Sequence, residues 1–331
     1  MRAAFYTRTG PAAEVLEIGE RPDPAPGPGE VLVRVRASGI NPADVKRRAG
    51  WRGMAMEHPL VIPHTDGAGE IVDVGPGVDR VRIGERVWLW NAQGGYGEAG
   101  RPFGSAAELI ALPAAQAVHL PDEFDFAAGA CLGVPAMTAH RAVHADGPVA
   151  GLTVLVNGAA GAVGHMAVQI ATAAGARVIG TAGSGQGADH ARAAGAAHVI
   201  DRHRENVAAR VMELTGGTGV DRVVEVDFGA NHRTDIAVLK ANGTIASYSS
   251  TSEPEPVLPY YAFANQGANL RFIQGFAIPA EARRAGERRL AELAAAGRLT
   301  VAIAETYPLT EIAAAHAHVE KGAIGNVVVT I

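Results

Sequence analysis

The sequence contains only one cysteine, Cys131, among its 331 residues. A single cysteine excludes an intrachain disulfide and argues against a zinc site built from several cysteines. Its neighbours Ala130 and Leu132 are apolar, which predicts a buried core side chain rather than a reactive thiol.

Long apolar runs and a surplus of basic residues are also absent. No stretch approaches the roughly 20 residues of a membrane-spanning helix, and residues 1–5 lack the apolar core of a signal peptide. The 29 Lys and Arg residues are fewer than the 34 Asp and Glu residues, and the formal net charge is −5 at pH 7. We therefore expect a cytoplasmic protein with no membrane or nucleic-acid partner.

The N-terminal third is rich in short strands. The chain is long enough for two domains with cores of their own. Residues 1–120 alternate short apolar segments with Gly and Pro turns, which favours a barrel-like β domain. Strands are predicted at Val31–Ala37, Leu60–Pro63, Glu70–Val74 and Glu85–Leu89. Helical patterns begin near Asp125, a predicted N-cap, and again near Pro135.

The segment from Gly151 to Ser184 has the order strand, glycine turn, helix, strand. Gly158, Gly161 and Gly164 follow the apolar strand 153–156 at three-residue steps. In a dinucleotide-binding turn the first glycine allows a sharp turn, the second lets the backbone approach a pyrophosphate, and the third permits close packing of the helix on the sheet. The helix N-terminus then faces the phosphates. The spacing GxxGxxG is weaker than GxGxxG, and simple helix packing is the alternative.

The end of the second strand indicates which dinucleotide is bound. An NAD site places Asp or Glu there, whereas this strand ends in Gly183 and Ser184. Arg202, His203 and Arg204 follow the predicted third strand. An uncharged strand end with basic neighbours favours NADP(H); solvated surface charge is the alternative for the basic residues.

An ordered series of motifs runs through the whole chain, and its combination resembles a known superfamily. The segments are 38–44 (SGINPAD), 64–70 (HTDGAGE), 84–87 (GERV), 133–139 (GVPAMTA), 157–164 (NGAAGAVG) and 316–320 (HAHVE) before Gly325. The series is similar to the medium-chain dehydrogenase/reductase superfamily and, within it, to the zeta-crystallin-like NADPH:quinone oxidoreductases.

The resemblance implies an α/β protein in which a GroES-like β-barrel catalytic domain accompanies a Rossmann doubly wound parallel sheet. The expected limits are 1–122 for the GroES-like domain, 123–278 for the Rossmann domain, and 279–331 for the return to the catalytic domain. The active site is expected in the cleft between the domains of a homodimer, with NADPH as cofactor.

The resemblance also implies a zinc-free enzyme. Where the zinc alcohol dehydrogenases of the superfamily carry their ligands, this chain has Asn41, Thr65 and Val134, none of which replaces a thiolate or an imidazole. His64 lies one residue away from the aligned position. Asn41 and Asp44 are the predicted catalytic residues: the Asn41 amide donates to the acceptor carbonyl or binds the nicotinamide ribose. A plain turn at Asn41-Pro42 is the alternative.

The remaining cofactor contacts are carried over from the family. Asn41 and Thr138 lie at positions beside the nicotinamide, and Asn326 supplies a C-terminal polar contact. The full predicted set is Asn41, Thr138, Gly158, Ala160, Gly161, Ala162, Val163, Gly164, Gly183, Ser184, Arg202, His203, Ser247, Tyr248, Ser249, Ser250, Phe276, Ala277, Ile278 and Asn326. Three departures stand out: Asp189 where relatives often carry a phosphate-binding Lys, Lys46 and Arg52 in place of tyrosines near the acceptor, and a longer loop at 91–104.

Without a Lewis acid, alcohol oxidation is difficult, whereas a quinone or a conjugated carbonyl accepts hydride readily. An NADPH-dependent quinone oxidoreductase is therefore the leading hypothesis. An enoyl or alkenal reductase is the second hypothesis, and a nucleotide-binding protein without catalysis is the third.

Overall fold

The computed structural model describes residues 1–94 and 100–331. The strands are β1 (Arg2–Phe5), β2 (Glu17–Glu20), β3 (Glu30–Ile40), β4 (Asp66–Val74), β5 (Arg86–Leu89), β6 (Leu109–Pro113), β7 (Ala117–His119), β8 (Thr153–Val156), β9 (Arg177–Ala182), β10 (His198–Asp201), β11 (Val220–Glu225), β12 (Leu239–Ser247), β13 (Asn269–Phe272), β14 (Ile303–Pro308) and β15 (Asn326–Thr330). The helices are α1 (Ala12–Val15), α2 (Pro42–Ala49), α3 (Phe126–Gly129), α4 (Met137–His144), α5 (Ala162–Ala173), α6 (Gly185–Ala193), α7 (Val207–Leu214), α8 (Phe228–Val238), α9 (Tyr260–Gln266), α10 (Ala280–Ala295) and α11 (Ile312–Lys321).

The chain forms two compact units. The first contains Met1–Pro135 and Val301–Ile331, and the second contains Ala136–Thr300. These limits differ from the predicted boundaries because α3 packs on β3, β4 and β5 of the first unit, while α10 packs on α4 of the second. The predicted domain boundaries at 122 and 278 stay a prediction.

The first unit is built on a seven-stranded sheet in the order β14-β15-β3-β4-β5-β7, in which β6 also pairs with β3. The central strand β3 buries Val31, Val33 and Val35 and exposes Arg34 and Arg36, which is the alternation of a strand with one solvated face. The chain returns from the second unit to add β15 antiparallel to β3. Residues far apart in sequence thus share this sheet.

The predicted strand Leu60–Pro63 is wrong. Val61 and Ile62 make only isolated bridges, to Tyr6 and Phe103, because the segment meets a different neighbour on each side and extends no ladder. Within the loop 91–104, Tyr96 lies outside the described residues. The predicted core position of Cys131 is confirmed, since the residue is buried.

The second unit contains a parallel sheet of six strands in the order β10-β9-β8-β11-β12-β13. Numbered within the unit, this order is 3-2-1-4-5-6, the doubly wound arrangement in which ligands bind beyond the carboxyl ends of the strands where the order reverses. Here the reversal lies between β8 and β11. The predicted α/β class with a doubly wound parallel sheet is confirmed. Among the described residues, no helix is both long and apolar enough to span a bilayer.

Candidate functional site

The glycine turn follows β8 directly and has the conformation expected of a dinucleotide-binding turn. Gly158 has φ +68°, which favours glycine. A methyl group on Gly164 would lie 2.1 Å from the carbonyl oxygen of Gly158, whereas one on Gly161 would meet only that oxygen, at 3.5 Å. Helix packing therefore requires a glycine at position 164. No protein contact requires a glycine at position 161, which is the N-cap of the twelve-residue helix α5.

A fully buried polar network lies beneath this turn. The Asn157 amide nitrogen donates to Glu225 and to Oδ1 of Asp235, the latter at 2.9 Å. The Asn157 amide oxygen accepts from the Thr181 hydroxyl at 3.3 Å, and that hydroxyl accepts from the backbone N–H of Gly158 at 3.1 Å. No sequence motif predicted this network. Its only signal was a polar residue at or just after the carboxyl end of each of three buried strands.

Basic side chains converge on the end of β9. A methyl group on Gly183 would lie 3.1 Å from a guanidinium nitrogen of Arg202 and 3.2 Å from Nε2 of His203. Arg204, in contrast, is 86% exposed and lies 3.7 Å from Asp201. Two of the three predicted basic residues therefore approach the bare strand end, and the third does not.

Two further polar residues near this strand end have protein partners. The Ser184 hydroxyl caps α6 by accepting from the Gly187 N–H at 3.1 Å. Asp189 pairs with Arg192 at 2.8 Å, and its side chain is 81% exposed. Arg192 thus partly compensates the negative charge of Asp189, which would otherwise oppose a phosphate.

The predicted residues Ser247–Ser250 lie at and just after the end of β12. Ser247 donates to the carbonyl of Ser249 at 3.1 Å, and the Ser250 hydroxyl accepts from the Gly229 N–H at 2.9 Å. The backbone N–H of Tyr248 donates to the Glu225 carbonyl at 3.1 Å, and burial raises the pKa of the Tyr248 phenol. These contacts tie the loop to the ends of its neighbouring strands.

Four other predicted site residues differ in environment. The Thr138 hydroxyl on α4 is buried and has no hydrogen-bond partner in the described part of the chain, so it does not bond a helical carbonyl. The Asn326 amide donates to the Ala302 carbonyl at 2.9 Å. Ala277 and Ile278 lie between β13 and α10, where Ile278 is buried.

In the first unit, Asp66 accepts hydrogen bonds from residues of two separate sequence motifs, 38–44 and 133–139. One carboxylate oxygen of Asp66 accepts from the Asn41 amide at 2.8 Å and from the Val134 N–H at 2.7 Å. The Asn41 backbone N–H donates to Asp44 at 2.8 Å, and the Thr65 hydroxyl lies 3.5 Å from the other Asp44 oxygen. Asn41 therefore caps α2 through Asp44 and presents its amide to Asp66.

Burial shapes the electrostatics of this cluster. Desolvation raises the pKa of Asp44 to about 6, despite the hydrogen bond from Asn41. It raises the pKa of Asp66 well above its usual value, and the nearby Asp44 charge adds to that shift. The second oxygen of Asp66 has no hydrogen-bond partner among the described residues.

A second series of buried hydrogen bonds runs from His316 on α11 to the backbone carbonyl of Asp66 on β4. Nε2 of His316 lies 2.9 Å from Nε2 of His64, whose Nδ1 lies 2.7 Å from the Ser38 hydroxyl. That hydroxyl lies 2.7 Å from the Ser105 hydroxyl, which donates to the Asp66 carbonyl. Each donor is thereby assigned: Ser38 donates to Ser105, His64 donates from Nδ1 to Ser38, and His316 donates to His64. Burial lowers the pKa of His64 to about 3.

The positions aligned with the zinc ligands of the zinc alcohol dehydrogenases are occupied by Asn41, Thr65 and Val134. The Asn41 side-chain amide and the Val134 backbone N–H both donate hydrogen bonds to one carboxylate oxygen of Asp66. Across residues 1–94 and 100–331, no three His, Cys, Asp or Glu side chains come together as a metal site would require. Catalytic zinc needs three protein ligands.

Comparison with known proteins now adds to the geometry. The family model "Alcohol dehydrogenase GroES-like domain" matches residues 27–122, and the model "Zinc-binding dehydrogenase" matches residues 162–294. The quinone oxidoreductase of Lama guanicoe is 33% identical, covering 100% of this chain and 98% of its own length. The 2-haloacrylate reductase of a Burkholderia species is 30% identical, covering 99% and 98%. The structure of Escherichia coli quinone oxidoreductase complexed with NADPH superposes with a TM-score of 0.87 at 26% identity and full coverage of both chains.

The fold and these matches define the class of the protein. It is an oxidoreductase that combines a GroES-like domain with a Rossmann-like parallel sheet. The chain belongs to the medium-chain dehydrogenase/reductase superfamily, in the group of the zeta-crystallin-like quinone oxidoreductases. The resemblance inferred from the motifs is confirmed.

Proposed function

We propose that this chain is a zinc-independent quinone oxidoreductase that uses NADPH and passes hydride directly to a quinone. The observation that carries the proposal is the end of β9, where Gly183 carries no side chain and Arg202 and His203 converge. A carboxylate at this position recognises an unphosphorylated ribose, whereas arginine accommodates a 2′-phosphate. The curated relatives named quinone oxidoreductase and the NADPH complex of the Escherichia coli protein support the same assignment.

The residues of the second unit fit NADPH. The N-terminus of α5 offers N–H groups without intrahelical acceptors to the pyrophosphate, and Gly161 has no side chain to obstruct it. The unpartnered hydroxyl of Thr138 suits a polar contact to the nicotinamide end. The segment Ser247–Ser250 and residues Phe276–Ile278 complete the proposed set in the second unit. Asn326, which belongs to the first unit, is also in the proposed set.

Bound NADPH supplies the hydride, and this chain supplies orientation and hydrogen bonds. Asn41 gives one amide hydrogen to Asp66 and has a second hydrogen for the acceptor carbonyl. Asp44 holds the backbone of Asn41 in place. A quinone gains aromatic stabilisation on reduction, so its carbonyl needs no metal to accept hydride.

Zinc independence has its own test. We expect turnover to be unchanged after dialysis against a strong chelator, and less than one zinc per ten chains by elemental analysis. Activity that falls on chelation and returns with Zn²⁺ would contradict the proposal.

The cofactor assignment is tested at the end of β9. Arg202→Ala should raise KM for NADPH about tenfold, which corresponds to about 1.4 kcal/mol, and leave KM for NADH unchanged. Arg204→Ala is the matched control, since Arg204 is exposed and directed at Asp201. Equal effects of Arg202→Ala on both cofactors would exclude a phosphate-binding role for this arginine.

An acceptor panel separates the candidate reactions. Consumption of NADPH is measured with 1,2- and 1,4-quinones, enones, acrylates and enoyl thioesters. The relative named 2-haloacrylate reductase favours the alternative, reduction of a carbon–carbon double bond beside a carbonyl. Higher kcat/KM for that group would replace the quinone proposal. Tight NADPH binding without turnover of any acceptor would favour the third hypothesis.

We also propose that the chain forms a homodimer through the second unit. β13 pairs with β12 and is the last strand of its sheet among the described residues, so its other edge is open to a further strand. Phe272 on β13 and Tyr260, Tyr261 and Val257 before or within α9 are exposed apolar side chains. Sedimentation analysis should give a dimer for the wild type and a shift toward monomer for Phe272→Glu. A monomeric wild type would refute this.

A further inference from the structure

The network beneath the glycine turn contains two buried carboxyl groups that the proposed reaction does not use. Glu225 ends β11 and Asp235 lies on α8, and both are 0% exposed. A single amide nitrogen, that of Asn157, donates to both carboxyl groups. The two acids therefore share one small buried space.

The hydrogen-bond donors around Glu225 and Asp235 indicate which of the two carboxyl groups is ionised. One Glu225 oxygen accepts from the backbone N–H of Asp227 and from the Asn231 amide, the latter at 3.0 Å, and the other accepts from Asn157. Three N–H donors favour the ionised form of Glu225. Asp235 receives one donor, on Oδ1, and its Oδ2 is buried without a donor.

Oδ2 of Asp235 receives no hydrogen bond and shares the buried space with the ionised Glu225. This environment suits a protonated Oδ2, whose hydroxyl donates to Glu225. Two adjacent carboxylates in a buried space cannot both carry charge. Burial and the neighbouring Glu225 charge raise the pKa of Asp235 well above its usual value. Asp235 is accordingly the protonated partner.

The consequence reaches the cofactor turn through three residues. Asn157 is oriented by the two acids, Thr181 donates to the amide oxygen of Asn157, and the N–H of Gly158 donates to Thr181. The Gly158 N–H is thereby directed into the protein, and the first turn of α5 is left to meet a phosphate.

We propose that Asp235 is a positioning residue for the dinucleotide turn: as a neutral acid it donates to Glu225, and the pair fixes Asn157, Thr181 and Gly158. This inference rests on the proposed NADPH site.

The test uses the asymmetry between the two acids. Asp235→Asn places an NH2 group where the neutral acid has its hydroxyl, so KM for NADPH should stay within threefold of wild type. Glu225→Gln places an NH2 group against N–H donors, so KM for NADPH should rise at least tenfold while kcat changes less than threefold. Equal damage from both variants would overturn the proposal, because it would mean that Asp235 acts as an ionised acceptor.

A second pair of variants guards against misfolding of Glu225→Gln. Thr181→Val removes the acceptor for the Gly158 N–H and should raise KM for NADPH about tenfold, whereas Thr181→Ser should retain wild-type values. Identical KM values in these two variants would also overturn the proposal. Thermal unfolding gives an independent readout: Asp235→Asn should match wild type, and Glu225→Gln should unfold several degrees lower. A wild type that binds no NADPH would instead refute the proposed function, while the unfolding comparison would still judge the carboxyl pair.

Discussion

Replacing His64 with asparagine should make the free energy of unfolding less sensitive to acid. His64 is 0% exposed and bonded to Ser38 and His316 as a neutral imidazole. Burial lowers its pKa from 6.5 to about 3 in the folded protein. The unfolded chain then binds a proton that the folded chain does not, so stability is complete above pH 6.5 and decreases as pH falls toward 3.

The expected magnitude follows from this shift. At pH 5, about 1.5 units below the unfolded pKa, the loss attributable to His64 is about 2 kcal/mol. Asparagine suits the backbone of residue 64, whose φ is +77°, because it is one of the residues that tolerates this region. It forfeits the two hydrogen bonds, so His64→Asn should be less stable than wild type at pH 8.

Urea unfolding at pH 8 and pH 5 measures the effect. The wild type should lose about 2 kcal/mol more than His64→Asn between these two values, and contributions from buried groups that do not contact His64 cancel in the difference. His119→Asn is the control, since the His119 side chain is 66% exposed, and it should follow wild type. An equal loss in wild type and His64→Asn would refute the assignment of a neutral buried His64.

Further predictions concern the glycine turn and the Asp66 cluster. Gly164→Ala should destabilise the protein by about 1–3 kcal/mol and weaken NADPH binding, because its methyl group would meet the Gly158 carbonyl at 2.1 Å; Gly185→Ala, which meets nothing within 4 Å, should be neutral in the same unfolding and titration assays. Asn41→Ala should lower kcat at least tenfold, a rise in KM for NADPH alone would indicate a ribose contact, and unchanged kinetics with several acceptors would remove Asn41 from the mechanism. Because burial raises the pKa of Asp44 to about 6, folded Asp44 keeps a proton that the unfolded chain loses near 3.8; stability should fall by about 2 kcal/mol as pH rises from 4 to 6, and Asp44→Asn should lack that loss in urea unfolding.

Much of the second unit could be predicted locally. The strand Thr153–Val156 has the predicted limits, since a buried apolar run followed by glycines leaves few alternatives. The strand predicted at 60–63 was wrong because its formation is not decided by near neighbours in the sequence. Val61 and Ile62 are buried, yet whether they form a ladder depends on partners elsewhere in the chain.

The chain's own residue order therefore determined the features that depend on near neighbours: the glycine spacing, the bare end of β9, the alternation of β3, and the superfamily itself. Only the tertiary structure decided which polar groups meet. His64 and His316 are separated by 252 residues, and Asn157 and Asp235 by 78. Such pairs have no sequence periodicity, because their contact is set by how strands and helices pack. The proton assignments of the buried acids and histidines depend on those contacts and on burial.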